Sequence, residues 1–313
     1  MVRYFMSVDG KIQEEKSPRN GGWIALTNPT AGEILTISAR YEIDIDDLKA
    51  PLDEEERSRV EVEDTYTLIL VDIPIIEERN EKDWYGTIPM GIIMKDEIMI
   101  TVCLVDTPIL TAFMEGRVRN FNTHWKTRFI LQILYKNASW YLHYLRIIDK
   151  KSEEVEMRLN RSSKNEELIE VLELEKSLVY FTTSLRSNEV VLEKLLRTER
   201  IKKYPEDEDL LEDVIIENKQ AIEMANIYSG ILSGTRDAFA SIISNNLNVV
   251  MKFLASVTIV MSIPTMIASF YGMNVNLAGV PFASSQWGFC GVILFSIVVS
   301  LIVVWIFIRT NMF

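Results

Sequence analysis

Residues 253–308 read FLASVTIVMSIPTMIASFYGMNVNLAGVPFASSQWGFCGVILFSIVVSLIVVWIFI, 56 positions without one Asp, Glu, Lys or Arg. The chain holds 33 basic and 45 acidic residues, and of these only Arg309 follows that stretch. No water-soluble domain needs so long a charge-free run, so a purely soluble protein is excluded and a membrane portion is expected. The run divides in two. One apolar segment covers about 249–271, with Lys252 near its start, and a second covers 287–308. Each has about 22 residues, or roughly 33 Å of helix, which matches a hydrocarbon core. Between them, GMNVNLAGVPFASSQ at 272–286 is rich in Gly, Asn, Ser and Pro and reads as a short loop. That loop lacks Lys and Arg, whereas Lys252 and Arg309 flank the other ends. The positive-inside rule then places both termini in the cytoplasm and the loop outside. Trp287 and Trp305 suit the bilayer interface.

The two spans differ in kind. The second is rich in Val, Ile and Phe, with Ser296 and Ser300 as its only hydroxyls, and reads as lipid-exposed. The first carries a polar pattern. Placed on a helical wheel with Asn248 at zero, Met251 falls at about −60°, Ala255 at −20°, Thr258 at −80°, Ser262 at −40°, Thr265 at −100° and Ser269 at −60°. Small and hydroxyl residues on one stripe serve either a helix–helix contact or a pore wall. One stripe cannot enclose water, so the pore requires several copies around an axis. Among the hydroxyl residues, Ser256 alone falls well off the stripe.

The part before Phe253 holds 32 basic and 45 acidic residues, a net −13, the wrong sign for nucleic acid. The N-terminus has no apolar run of signal-peptide length. Cys103 and Cys290 are too few for a disulfide framework and read as small buried apolar residues. TYTLILVDI, GTIPMGIIM and EIMITVCLV have strand length and composition, with DWYGT and MKDEI as punctuation between them. TAGEILTISARYEI and IDIDDLKAPLDEEER look helical. Residues 1–107 therefore form an α/β domain with a small sheet. From about Thr107 the chain is almost continuously helical. Two long antiparallel helices are expected, KTRFILQILYKNASWYLHYLRIIDKKSEEVEMRL and NEELIEVLELEKSLVYFTTSLRSNEVVLEKLL, turning near Ser162–Asn165. After a break at Lys203-Tyr204-Pro205, a helix from about Glu208 to Tyr271 would be roughly 95 Å long, a stalk that continues into the first span. The expected class is α+β, with cytoplasmic domain 1–107, long-helix region 108–247 and membrane domain 248–313. His124 and His143 lack zinc or catalytic spacing, and no P-loop or Rossmann glycine pattern offers a nucleotide site. No catalytic residues and no cofactor are expected.

Tyr271-Gly272-Met273-Asn274, following SGILSGTRDAFASIISNNLNVVMKFL and preceding one last span, resembles the signature of the CorA family of magnesium and cobalt transporters. The resemblance covers the whole architecture and is loosest over the first hundred residues. It implies a funnel-shaped homopentamer in the cell membrane, with the first span of each subunit lining one pore for divalent cations. Tyr271, Gly272, Met273 and Asn274 would be the selectivity filter. Mg2+ holds its six waters tightly, so a ring of Asn274 carbonyls would accept hydrogen bonds from those waters. Gly272 would permit a sharp change of direction. A helix C-cap and turn is the simpler account of the same residues. Asn248, Met251, Leu254, Thr258, Ser262, Thr265 and Ser269 would line the pore, with Met251 and Leu254 as apolar gating rings.

Two departures stand out. Ser262 or its neighbour Met261 occupies a level where that family often places a Met constriction. The loop after Asn274 has no carboxylate, where many relatives carry one. The resemblance also implies a regulatory intersubunit Mg2+ site at Asp213, beside Glu212 and Glu217, with Asp47 or Asp53 as partner. A Zn2+ transporter of the ZntB type is the nearest alternative, which the intact GMN disfavours. A membrane-anchored helical scaffold or sensor without a pore is the alternative of another class.

Overall fold

A computed structural model of the chain describes all residues except 80–81, 162–164, 199–203, 274–280, 282–286 and 311–313. It divides into two compact units, Met1–Arg236 and Asp237–Phe313.

The first unit is built on strands β1 (Val2–Val8), β2 (Lys11–Glu15), β3 (Trp23–Thr27), β4 (Arg59–Val62), β5 (Tyr66–Arg79), β6 (Lys82–Lys95) and β7 (Ile98–Cys103). They form one sheet in the order β2-β1-β3-β7-β6-β5-β4, with β3 and β7 parallel and the other pairs antiparallel. Strand alternation sends Trp23, Ala25, Ile69, Val71, Ile73 and Ile92 to one face and Ile24, Leu26, Leu68, Leu70, Ile93 and Ile100 to the other. The second face is covered by α1 (Ala31–Tyr41) and α2 (Ile45–Lys49). The first is covered by α3 (Pro108–Met114), α4 (Lys126–Arg161) and α5 (Asn165–Arg197). Burial on both faces explains the near-continuous apolar strands. Each fully buried Ile or Leu contributes about 1.5–3 kcal/mol. Trp23 anchors the larger core, with its ring 5.0 Å from Phe5 and 5.1 Å from Phe129, and its indole N–H donating to Thr101 Oγ1 at 2.9 Å.

Four expectations are corrected here. The sheet has seven strands: besides the three expected it holds β1 and β3, short apolar segments, and the edge strands β2 and β4, which carry little apolar signal. DWYGT does not punctuate; it lies inside β6. A Cβ on Gly86 would come within 2.0 Å of the Trp84 ring, so the glycine makes room for that ring, which also packs under Arg79 and against Tyr180. The acidic run IDIDDLKAPLDEEER yields only α2 and one 3-10 turn at Ala50–Leu52, with Pro51 cutting the helix short. Beyond Thr107, α3 gives way to an irregular stretch up to Trp125, with Gly116 and Asn120 at positive φ.

β4 pairs with β5 only as far as Leu70. Just beyond, Asn188 of α5 takes the missing strand's place: its Oδ1 accepts from the Asp72 amide at 2.9 Å and its Nδ2 donates to the Asp72 carbonyl at 2.8 Å. Pro74 follows on the same open edge, where the lack of an N–H costs nothing.

The long helix α6 (Glu208–Tyr271) is unbroken over 64 residues and passes Pro264 without ending. In the first unit its covered seam is Val214, Asn218, Ala221, Ala225 and Leu232, a 3.5-residue repeat that lies against the rest of the unit. Polar contacts fix its register. Arg128 pairs with Asp207 at 2.7 Å, Asn218 donates to Leu185 O at 3.3 Å, and Arg236 pairs with Glu175 at 2.7 Å. The expected turn at Ser162–Lys164 lies outside the described residues, but α4 and α5 stop on either side of it and pack together.

In the second unit, the end of α6 is followed by α7 (Gly288–Arg309). Both helices are long and apolar enough to cross a membrane. Trp287 opens α7 exposed, and Arg309 closes it over the Trp305 ring at 4.8 Å. Such residues mark the two ends of a span.

Candidate functional site

From Ser256 to Tyr271 the residues of α6 sort into two arcs. Those shielded from solvent are Ser256, Val257, Val260, Ile263, Pro264, Ile267 and Tyr271. On the wheel used above they occupy about 60° to 180°. The exposed Thr258, Met261, Ser262, Thr265 and Ser269 occupy about −140° to −40°, on the opposite side. Asn248, Met251 and Leu254 are exposed as well, as is every residue from 240 to 255. Along α7 the covered residues include Gly288, Gly291, Ser296 and Ser300, again one face. Within the second unit these are the arcs that α6 and α7 keep from solvent, with Ser256 the one small residue on the first and Gly288, Gly291, Ser296 and Ser300 on the second.

One sequence reading gains its reason and two change. Ser256, the residue off the stripe, is fully buried and belongs to this packing. Ser296 is buried, not lipid-exposed, and donates to Val292 O at 2.9 Å. Cys103 is buried as expected, whereas Cys290 is exposed on α7.

The stripe is therefore left open within one chain. Its hydroxyls satisfy themselves on their own helix: Thr258 Oγ1 donates to Leu254 O at 2.8 Å, Ser262 Oγ to Ile259 O at 2.8 Å and Thr265 Oγ1 to Met261 O at 3.3 Å. With its proton so engaged, each oxygen keeps lone pairs directed outward, the polarity that accepts hydrogen bonds from ion-bound water. These residues line a shallow groove with Met261, Met266 and Phe270.

At the helix end, the Gly272 amide donates to Ala268 O at 3.0 Å and to Ser269 O at 3.2 Å, and the Met273 amide to Phe270 O at 3.4 Å. Gly272 does not have positive φ, and a Cβ there would meet Ala268 O at an ordinary 3.4 Å. Its backbone thus needs no glycine, which removes the reason for a left-handed C-cap. The Tyr271 hydroxyl donates to Pro281 O at 2.7 Å. Asn274 lies outside the described residues.

Asp213 is exposed on α6, as is Glu212 beside it, while Glu217 is half-buried. Of its two suggested partners, Asp53 is exposed and holds the Glu55 amide at 3.0 Å, whereas Asp47 accepts the Tyr66 hydroxyl. Burial, with the Asp47 carboxylate second, pushes the Tyr66 hydroxyl well above its usual pKa. Among the described residues no three His, Cys, Asp or Glu side chains converge as a metal site within one chain.

A seven-stranded α/β domain bearing long helices, one of which runs on into the first of two C-terminal apolar helices, defines a two-span membrane protein of the metal-ion transporter type. The chain belongs to the CorA-like Mg2+ transporter protein family, whose model matches residues 20–309. It is 29% identical over 298 residues to the cobalt/magnesium transport protein CorA of Methanocaldococcus jannaschii, covering 92% of this chain and 90% of that one. The complete structure of the CorA magnesium transporter from the same organism superposes with a TM-score of 0.84 at 25% identity, covering 99% of this chain and 98% of the other. The cytoplasmic domain of ZntB from Vibrio parahaemolyticus matches with a TM-score of 0.62 at 10% identity over 78% of this chain and 98% of that one, a likeness of fold alone.

Proposed function

We propose that this protein carries Mg2+, with Co2+ and Ni2+ as further cargo, passively across the cell membrane through one pore shared by a homopentamer. The observation that carries this reading is the placement of the stripe. Thr258, Ser262, Thr265 and Ser269 lie on the side of α6 left bare from Ser256 onward, and Asn248, Met251 and Leu254 precede them where α6 is exposed all round. A membrane anchor has no use for such a face, whereas five copies would wall an aqueous path. Family membership and the likeness to CorA of Methanocaldococcus jannaschii, in sequence and in structure, support Mg2+ and Co2+ as cargo.

In this reading the hydrated ion meets the ring of Asn274 amides first and the Thr265 and Ser262 hydroxyls next, keeping its inner waters. Met251 and Leu254 close the narrow section by excluding water. Both termini face the cytoplasm, where net −13 per chain repels its neighbours. Mg2+ at Asp213, bridged to a carboxylate such as Asp53 of a neighbouring copy, would hold the subunits together and keep the pore shut. Membrane potential supplies about 2.3 kcal/mol per charge per 100 mV.

Purified protein in liposomes tests this. Wild type should pass Mg2+ and elute at about five times the chain's mass, and Asn274→Ala should lose the flux while keeping that mass. A dimer without flux would leave the scaffold reading. Competition of Mg2+ against Zn2+ separates the ZntB-type alternative.

A further inference from the structure

We infer that α5 of one copy docks along α6 of the next, through an open seam on each helix. This rests on the ring of copies proposed above and names the surface that closes it.

On α5, Leu172, Lys176, Val179, Thr183 and Arg186 are all exposed and follow one another at intervals of four, three, four and three residues. On α6, Asp213, Ile216, Gln220, Glu223 and Ile227 are all exposed at intervals of three, four, three and four. Such spacing is the 3.5-residue repeat by which one helix lies along another. Each stripe sits across its helix from residues that are already buried: Leu178, Phe181 and Leu185 on α5, Val214, Ala221 and Ala225 on α6. Neither stripe therefore serves the packing inside its own chain. Leu172, Val179, Ile216 and Ile227 are between 48% and 58% exposed. Apolar side chains scattered singly are ordinary on a surface, whereas apolar side chains aligned along a seam mark a contact.

Direction and charge select the occupant. Within one chain Asn218 of α6 meets Leu185 of α5, and Arg236 meets Glu175, so the two helices run antiparallel. In a ring that turns about an axis along α6, every α5 stays antiparallel to every α6. Read in opposite directions, the two stripes have identical intervals. Leu172 then falls opposite Ile227, Lys176 opposite Glu223, Val179 opposite Gln220, Thr183 opposite Ile216 and Arg186 opposite Asp213. The two basic residues are ten positions apart and so are the two acidic ones, so one register pairs both. Setting α5 against α5, or α6 against α6, brings like charges together instead, which rejects two-fold pairing through either stripe. A seam built from two different helices is heterologous, the kind of contact that generates a closed ring. At Asp213, Arg186 and the Mg2+ proposed above would answer the same carboxylate, so the Lys176–Glu223 end is the one to test, in buffer free of Mg2+.

The full chain with Cys103 and Cys290 replaced serves as background. Thr183→Cys combined with Ile216→Cys should give, on oxidation in detergent, disulfide-linked species of two or more chains, and either cysteine alone should not. Val179→Cys with Gln220→Cys reads the same register at a second level. In the first cysteine pair, Lys176→Glu should slow linking about fivefold, the effect of turning one exposed ion pair into a repulsion, and adding Glu223→Lys should restore it. If neither cysteine pair links while the assembly keeps the mass of five chains, the seam is overturned and the shared pore stands, with both stripes left for another protein. An assembly no larger than a dimer overturns the ring and the seam together. Linking by one cysteine alone would mean that like helices meet, and linking rates indifferent to both charge changes would mean that charge does not set the register; either result overturns the inference.

Discussion

Arg128 at the start of α4 and Asp207 just ahead of α6 form an ion pair at 2.7 Å, with Asp207 only 6% exposed. The pair joins the beginnings of two helices that are distant in sequence, and so sets where α6 starts along the first unit. Asp207→Ala leaves Arg128 with a poorly solvated charge and should cost about 3 kcal/mol. The paired replacement Arg128→Met with Asp207→Leu should cost less than Asp207→Ala alone. Thermal unfolding of the full chain in detergent reads both.

Asp72 should make the first unit less stable as pH rises. Burial raises its carboxyl pKa above 3.8, against hydrogen bonds from Ser184 and Ser58 that lower it. Folding therefore favours the protonated form. The stability from this group is fully present below 3.8 and is lost as pH climbs through the folded value. Asp72→Asn should flatten that slope between pH 4 and 7, because the backbone bonds to Asn188 do not need the carboxylate. Melting temperatures at constant ionic strength give the comparison.

Much of this was legible in the sequence, in proportion to how local the signal is. Charge absence marked the spans, and helical periodicity marked α4 and α5, because both are properties of consecutive residues. The stripe from Asn248 to Ser269 was visible at 100° per residue. Its relation to α7 was not, since Ser256 and Ser296 acquire meaning only when two helices meet. DWYGT read as a turn because Gly86 next to polar residues imitates one; the Trp84 ring that fills the glycine's place is a three-dimensional fact. The edge strands β2 and β4 escaped notice because short segments with exposed polar residues lack an apolar run, and β1 and β3 because apolar runs of five to seven residues do not by themselves tell strand from helix.

Ser256→Leu and Ser262→Leu make a matched pair. The first overfills the α6–α7 contact and should destabilise by about 1–3 kcal/mol. The second points into the open groove and should leave unfolding unchanged while cutting Mg2+ flux. Melting and flux measured on the same preparations separate the two faces.

Gly272→Ala should be silent in the fold. The added Cβ has ordinary clearance from Ala268 O and Ser269 O and meets no positive φ. If the glycine is there for a close approach between copies, flux should fall at least about tenfold with assembly mass and melting unchanged. A destabilised monomer would instead return the residue to a capping role.

The account stands or falls on the bare side of α6 facing water. Single cysteines placed at 251, 258, 262 and 265, and at 256, 260 and 263, in a background with Cys103 and Cys290 replaced, would be treated with a charged, membrane-impermeant thiol reagent during Mg2+ flux in liposomes. The account predicts labelling and block at the first four positions and protection at the other three. Labelling absent from the stripe, or equal on both arcs, would contradict it.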